Sequence, residues 1–122
     1  MLDHIGFDVK DFGKSKAFYE KALKPLEYKL TANYENAAGF GKGEKSSFWL
    51  VGGRGQTTKV HVAFSAPNRK AVDEYYKAAM AAGGKDNGKP GLRPDYHKDY
   101  YGAFVIDPDG NNVEAVCQTP ER

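Results

Sequence analysis

His4-Ile5-Gly6-Phe7-Asp8-Val9, near the start of the chain, is echoed 57 positions later by His61-Val62-Ala63-Phe64-Ser65-Ala66. The same offset lays Phe18-Tyr19 onto Tyr75-Tyr76 in the helical stretch that follows each copy. A repeat of this kind decides the fold, because a half too small to cover its own sheet face must pack against its twin. In the first copy Ile5, Phe7 and Val9 alternate with His4, Gly6 and Asp8, the period of a half-buried strand. Two histidines therefore stand at equivalent points of two equivalent strands. Packing of the halves is expected to bring them close.

The rest of the chain reads outward from these two strands. Alternation runs from Leu2 to Val9. Asp11 is a candidate cap for a helix through Lys24, which Pro25 limits. Tyr28 to Tyr34, Ala38 to Gly41 and Ser47 to Val51 read as three further strands, and Gly52-Gly53-Arg54-Gly55 as the connector. The second half gives a strand over Lys59 to Ser65 and a helix from Pro67-Asn68 to about Ala82, with Asn68 as cap and Gly83-Gly84 as stop. Val72, Tyr75, Tyr76, Ala79 and Met80 recur at helical spacing, as core residues do. A long loop is expected over Asn87 to Tyr100, then a hairpin of Tyr101 to Ile106 and Asn112 to Cys117 about Asp107-Pro108-Asp109-Gly110, whose residues suit a type I turn. The order predicted is β-α-β-β-β twice: one α+β domain over residues 1–122, with modules 1–53 and 58–118.

Composition narrows the function. Of 122 residues, 40% are apolar and 28% charged, as in ordinary folded domains, and 14 glycines suit a turn-rich sheet protein. Net charge is only +2, with lysines interleaved among acids, so no nucleic-acid partner is expected. One cysteine, Cys117, excludes an intrachain disulfide. No run approaches the ~20 apolar residues needed to cross a bilayer, and Met1 leads directly into a strand pattern. The simplest expectation is a cytoplasmic protein with no membrane partner.

Glu114 lies mid-strand between Val113 and Ala115. In the β-α-β-β-β register the last strand of a module lies beside the first, so Glu114 should neighbour His61, with His4 approaching from the mirrored half. Two imidazoles and a carboxylate form a known divalent-metal set with open positions for water or substrate. Each residue also has a plainer reading: a strand histidine is commonly a packed or surface residue, and a strand glutamate a solvated one. Arg93-Pro94-Asp95-Tyr96-His97-Lys98-Asp99-Tyr100-Tyr101 gathers a cation, acids, a histidine and tyrosines just before a strand. It is either an ordered surface loop or a lid. As a lid, Arg93 would grip an anionic group, His97, Tyr96 or Tyr100 would move a proton, and Tyr101 would contact substrate. His97 is also a candidate fourth ligand, and Trp49 a wall of the pocket.

Over nearly its whole length the chain resembles the vicinal oxygen chelate superfamily: glyoxalase I, fosfomycin-resistance proteins, extradiol dioxygenases and bleomycin-resistance proteins. The resemblance rests on Asp3-His4-Ile5-Gly6-Phe7, Ser15-Lys16-Ala17-Phe18-Tyr19, Val60-His61-Val62-Ala63-Phe64 and, most specifically, Asp107-Pro108-Asp109-Gly110-Asn111-Asn112-Val113-Glu114-Ala115. It implies two βαβββ modules forming a cup-shaped mixed sheet around one site, a homodimer, and one divalent ion (Zn, Mn, Ni, Co or Fe(II)) held by His4, His61 and Glu114. The implied function is a metal-dependent lyase, isomerase, thiol transferase or dioxygenase acting on a small oxygen-chelating substrate. The rival reading is a drug-sequestering binder without turnover. Glyoxalase I enzymes usually carry a carboxylate on the last strand of the first module. Here, laying Asn112-Val113-Glu114-Ala115 on Ser47-Phe48-Trp49-Leu50, that place is Trp49, which can neither ligate a metal nor accept a proton. The pattern is thus more similar to the fosfomycin-resistance and dioxygenase branches.

Overall fold

The computed structural model describes residues 3–55 and 58–120, so Leu2, the expected start of the first strand, lies outside the described residues. The strand order follows the repeat. The first module comprises β1 (Ile5–Asp8), α1 (Phe12–Leu23), β2 (Lys29–Asn33), β3 (Ala37–Gly41) and β4 (Phe48–Val51). The second comprises β5 (His61–Ser65), α2 (Arg69–Ala81), β6 (Lys85–Leu92), β7 (Tyr101–Ile106) and β8 (Asn112–Cys117). Each module folds its strands into a four-stranded mixed sheet, in the orders β1-β4-β3-β2 and β5-β8-β7-β6. In both, the first strand runs parallel to the last, as the βαβββ register requires.

Local chemistry fixes both helices. The Asp11 side chain accepts from the Lys14 amide, and the Asn68 side chain from the Ala71 amide. Each cap satisfies an otherwise orphaned N–H, worth about 1 kcal/mol. A single 3-10 turn over Lys24–Leu26 carries Pro25 and ends α1. Gly83, at φ +100°, takes the left-handed conformation that ends α2.

One expectation is corrected here. Residues 87–92 are not loop but part of β6. Gly88-Lys89-Pro90-Gly91 has the composition of a turn, yet β6 is an edge strand, where a proline's missing N–H breaks no ladder. The irregularity appears instead as register shifts between Asp86 and Gly88 and between Gly88 and Gly91. Only residues 93–100 form the loop.

Each sheet turns one face into a shared core. Phe7, Val9, Phe48 and Leu50 from the first sheet join Phe18 and Tyr19 of α1, Val72 and Tyr75 of α2, and Phe64, Val105 and Val113 of the second sheet. Phe48 and Phe64 meet edge to face, with ring centroids 5.3 Å apart, and so join the sheets directly. A polar clasp adds to this. Tyr19 donates its hydroxyl to Asp107 at 2.5 Å, and Ser15 donates to Asp109 at 3.1 Å, tying the β7–β8 turn to α1. Asp107 also accepts from the amides of Asp109 and Asn111 and from the Asn111 side chain, so this buried carboxylate has a full set of donors. The opposite face of each sheet is left open. No helix among the described residues is long and apolar enough to cross a membrane.

Candidate functional site

Across the open face of the second sheet, one row of residues runs Ala63 on β5, Glu114 on β8 and Phe104 on β7. His61 is two residues before Ala63 and shares its face. Its Nε2 lies 2.5 Å from Glu114 Oε1. The Tyr100 hydroxyl donates to the other carboxylate oxygen, Oε2, also at 2.5 Å. Glu114 is thus a buried carboxylate held at both oxygens, while His61 is exposed on its other side. Burial, with the neighbouring carboxylate second, pushes the Tyr100 phenol above its ordinary range and keeps it a hydrogen donor.

The loop places Tyr100 through its own backbone. The Arg93 amide donates to the Tyr100 carbonyl, the Tyr96 amide to the Arg93 carbonyl, and the Tyr100 amide to the His97 carbonyl. Gly102 makes room for the result: a Cβ there would stand 3.2 Å from the Tyr100 ring and 3.6 Å from Glu114 Oε2. Tyr96 meets Tyr100 edge to face, with centroids 5.0 Å apart. His61, Glu114, Tyr100, Tyr96, Arg93 and Phe104 all line one open pocket of about 610 Å³, together with Asn87, Gly88 and Asn112. This volume suits a small ligand.

The remaining expected residues lie elsewhere. His4 does not join His61 and Glu114. It is exposed, pairs with Asp3 at 3.0 Å and lines a separate crevice between the start of β1 and β5. Among the described residues no three histidine, cysteine or acidic side chains converge as a metal site. The crevice that His4 lines is shared with Val62–Ser65 of β5, but neither His61 nor Glu114 lines it. Trp49 likewise stands on the open face of the first sheet, opposite Gly6 and Gly39, and does not line the pocket. Tyr101 lies on the other face of its strand and donates to Asp73 of α2 at 2.6 Å, so it is not a wall of the pocket. His97 does not line the pocket, and its Nδ1 accepts from the Asp99 amide at 3.2 Å. Asn87, Gly88, Asn112 and Phe104 are the lining residues that sequence reasoning passed over. Register would have found Asn112 and Phe104, which share a face with Glu114.

With the fold and pocket in place, comparison with known proteins is decisive. The family model described as the glyoxalase/bleomycin resistance protein/dioxygenase superfamily matches residues 1–115. The chain belongs to that superfamily. Among solved structures, this superfamily member is similar to a glyoxalase/bleomycin resistance protein from Albidiferax ferrireducens, with TM-score 0.84 and 25% identity over 96% of this chain and 98% of that one. It is also similar to a mutant glyoxalase I from Zea mays, with TM-score 0.73 and 25% identity over 94% of this chain and 46% of that one. A glyoxalase/bleomycin resistance protein/dioxygenase family enzyme from Burkholderia phytofirmans shares the fold, with TM-score 0.74 and 18% identity over 97% of this chain and 98% of that one. No curated protein matches the sequence. The superfamily assignment gives the βαβββ pair its family context, and the superfamily includes enzymes.

Proposed function

We propose that the protein is a divalent-metal-dependent enzyme of the glyoxalase/dioxygenase type, acting on a small oxygen-chelating substrate in the second-module pocket. One observation carries this reading: His61 Nε2 and Glu114 Oε1 meet at 2.5 Å in a pocket with room for a small molecule. Their donor chemistry, a neutral imidazole and a carboxylate, fits Zn, Mn, Ni, Co or Fe(II). His61 and Glu114 would hold the ion. His4 would complete the set from a second copy of the chain, because within its own copy it lines a crevice that includes neither His61 nor Glu114. A homodimer follows from that requirement, since two ligands from one chain leave the set incomplete.

When bound, the ion would supply Lewis acidity toward two adjacent substrate oxygens. The chain's own residues do the rest. Tyr100 fixes the rotamer of Glu114 through Oε2 and holds its phenolic proton at the pocket edge, where Tyr96 walls the rim. Phe104, with Tyr100, gives the pocket an aromatic wall. His97 has no part in this scheme, given its exposed position and its bond to the Asp99 amide.

The test is metal analysis of untagged protein, with sedimentation to give its oligomeric state. A stoichiometric divalent ion in a dimer, lost in each of His4→Ala, His61→Ala and Glu114→Ala, is the expected result. Metal-free protein that still binds small molecules would favour the drug-sequestering reading instead. Oxygen uptake with bound iron would direct the reaction to ring cleavage, and its absence with Zn or Ni to isomerisation or transfer.

A further inference from the structure

Arg93 is built into the wall of the pocket in a way that a surface arginine is not. Its guanidinium lies over the Phe104 ring, 5.4 Å from the centroid. Nη2 donates to the Lys89 carbonyl at 2.6 Å, and Nη1 to the Leu92 carbonyl at 3.5 Å. The strand beneath it lacks side chains where they would collide: a Cβ on Gly88 would stand 3.2 Å from Nη2, and one on Gly91 would stand 3.1 Å from Nη1. The register shifts of β6 fall at these same glycines. Sequence, backbone irregularity and ring stacking thus converge on seating one planar cation.

No acid among the described residues is paired with it. The ion pairs among the described residues join Asp3 to His4 and Lys45, Asp8 to Arg54, and His61 to Glu114, and none includes Arg93. A guanidinium has more N–H donors than two carbonyls occupy, so a parallel pair remains for a planar acceptor. A half-buried cation positioned by the fold, with no acid paired to it among the described residues, is a recognition element for an anion.

We propose that the pocket selects a small organic carboxylate, with Arg93 binding the carboxylate group while the rest of the molecule lies against Phe104 and Tyr96 toward the His61–Glu114 pair. This names the substrate class for the site described above and rests on that reading only for the pocket's role. Arg93 is the specificity-determining residue. Phe104 holds its plane, and Gly88 and Gly91 give it room.

The test uses metal-free protein, so that its outcome is separate from that of the metal reading, which stands or falls on metal analysis. Sodium benzoate and the uncharged benzamide are titrated while backbone amide signals are followed by NMR. Benzoate is expected to move the signals of Gly88, Arg93 and Phe104, with benzamide binding at least about tenfold more weakly, as loss of a charge-assisted pair requires. Arg93→Gln is expected to remove the preference for benzoate. Arg93→Lys, which keeps the charge and loses the fork, is expected to restore only part of it. Equal binding of benzoate and benzamide, or unchanged benzoate binding by Arg93→Gln, would overturn the proposal. Tighter binding of inorganic phosphate than of benzoate would overturn the carboxylate class.

Discussion

Trp49 and Glu114 hold the same position in the two modules. Trp49 pairs with Gly6 across β4 and β1, and Glu114 with Ala63 across β8 and β5, and both partners lie two residues beyond the histidine of their strand. The duplicated scaffold therefore offers an indole where its twin offers a carboxylate. Glu114→Gln is expected to abolish divalent-ion binding, whereas Trp49→Phe leaves ion affinity within about twofold, because an indole donates no lone pair to a cation. Isothermal titration with Zn or Mn checks both.

Tyr100 touches the proposed ion only through Glu114. Removing its hydroxyl leaves the carboxylate in place with one oxygen unheld. Tyr100→Phe should weaken ion binding by about 10–100-fold without eliminating it, the usual effect of losing a partner that orients a ligand. Unchanged affinity would show that Glu114 needs no such support.

The Tyr19–Asp107 bond joins the modules inside the core. Tyr19→Phe should lower unfolding free energy by about 1.5–3 kcal/mol, the cost of a buried hydrogen bond to a charged group. Urea denaturation followed by tryptophan fluorescence reads this directly.

Alkaline pH should act through the same core. Burial, followed by the Asp107 carboxylate, raises the Tyr19 phenol well above its ordinary range, and burial, with Asp107 and Glu114, raises Tyr75. The unfolded chain releases those protons near pH 10, before the folded chain does. Their contribution to stability is therefore complete below about pH 10 and declines as pH rises beyond it. Melting temperature should fall above that point, and less steeply in Tyr19→Phe.

Cys117 is a free thiol buried among core residues. A thiol reagent should modify it slowly in native protein and at once in denaturant, and the native rate should follow transient opening of the chain.

What the sequence made legible was local. Alternation in Ile5-Gly6-Phe7-Asp8 and the caps at Asp11 and Asn68 follow from rules acting over a few residues, and the repeat extends them to the parallel pairing of first and last strands. That register also places Glu114 beside His61. These rules could not place His4, because periodicity tells which face of a strand a residue occupies but not whether two open faces meet. That is settled by contacts between modules, Phe48 with Phe64 and Tyr19 with Asp107, whose partners are distant in sequence. β6 was hidden because glycine and proline signal turns, and an edge strand tolerates both. Tyr101 was misassigned by parity: it pairs with Cys117 on the core side, while Phe104 shares the side of Glu114.

The clasp of Tyr19 and Ser15 on the β7–β8 turn makes each half a structural dependant of the other. A gene cut in the Gly52–Gly55 connector would yield a front piece whose helix displays Phe18 and Tyr19 to water and a rear piece whose Asp107 has lost its hydroxyl donor. Such pieces should stay largely unstructured apart and regain order only when mixed, so that complementation of the split chain would report on the strength of this internal joint.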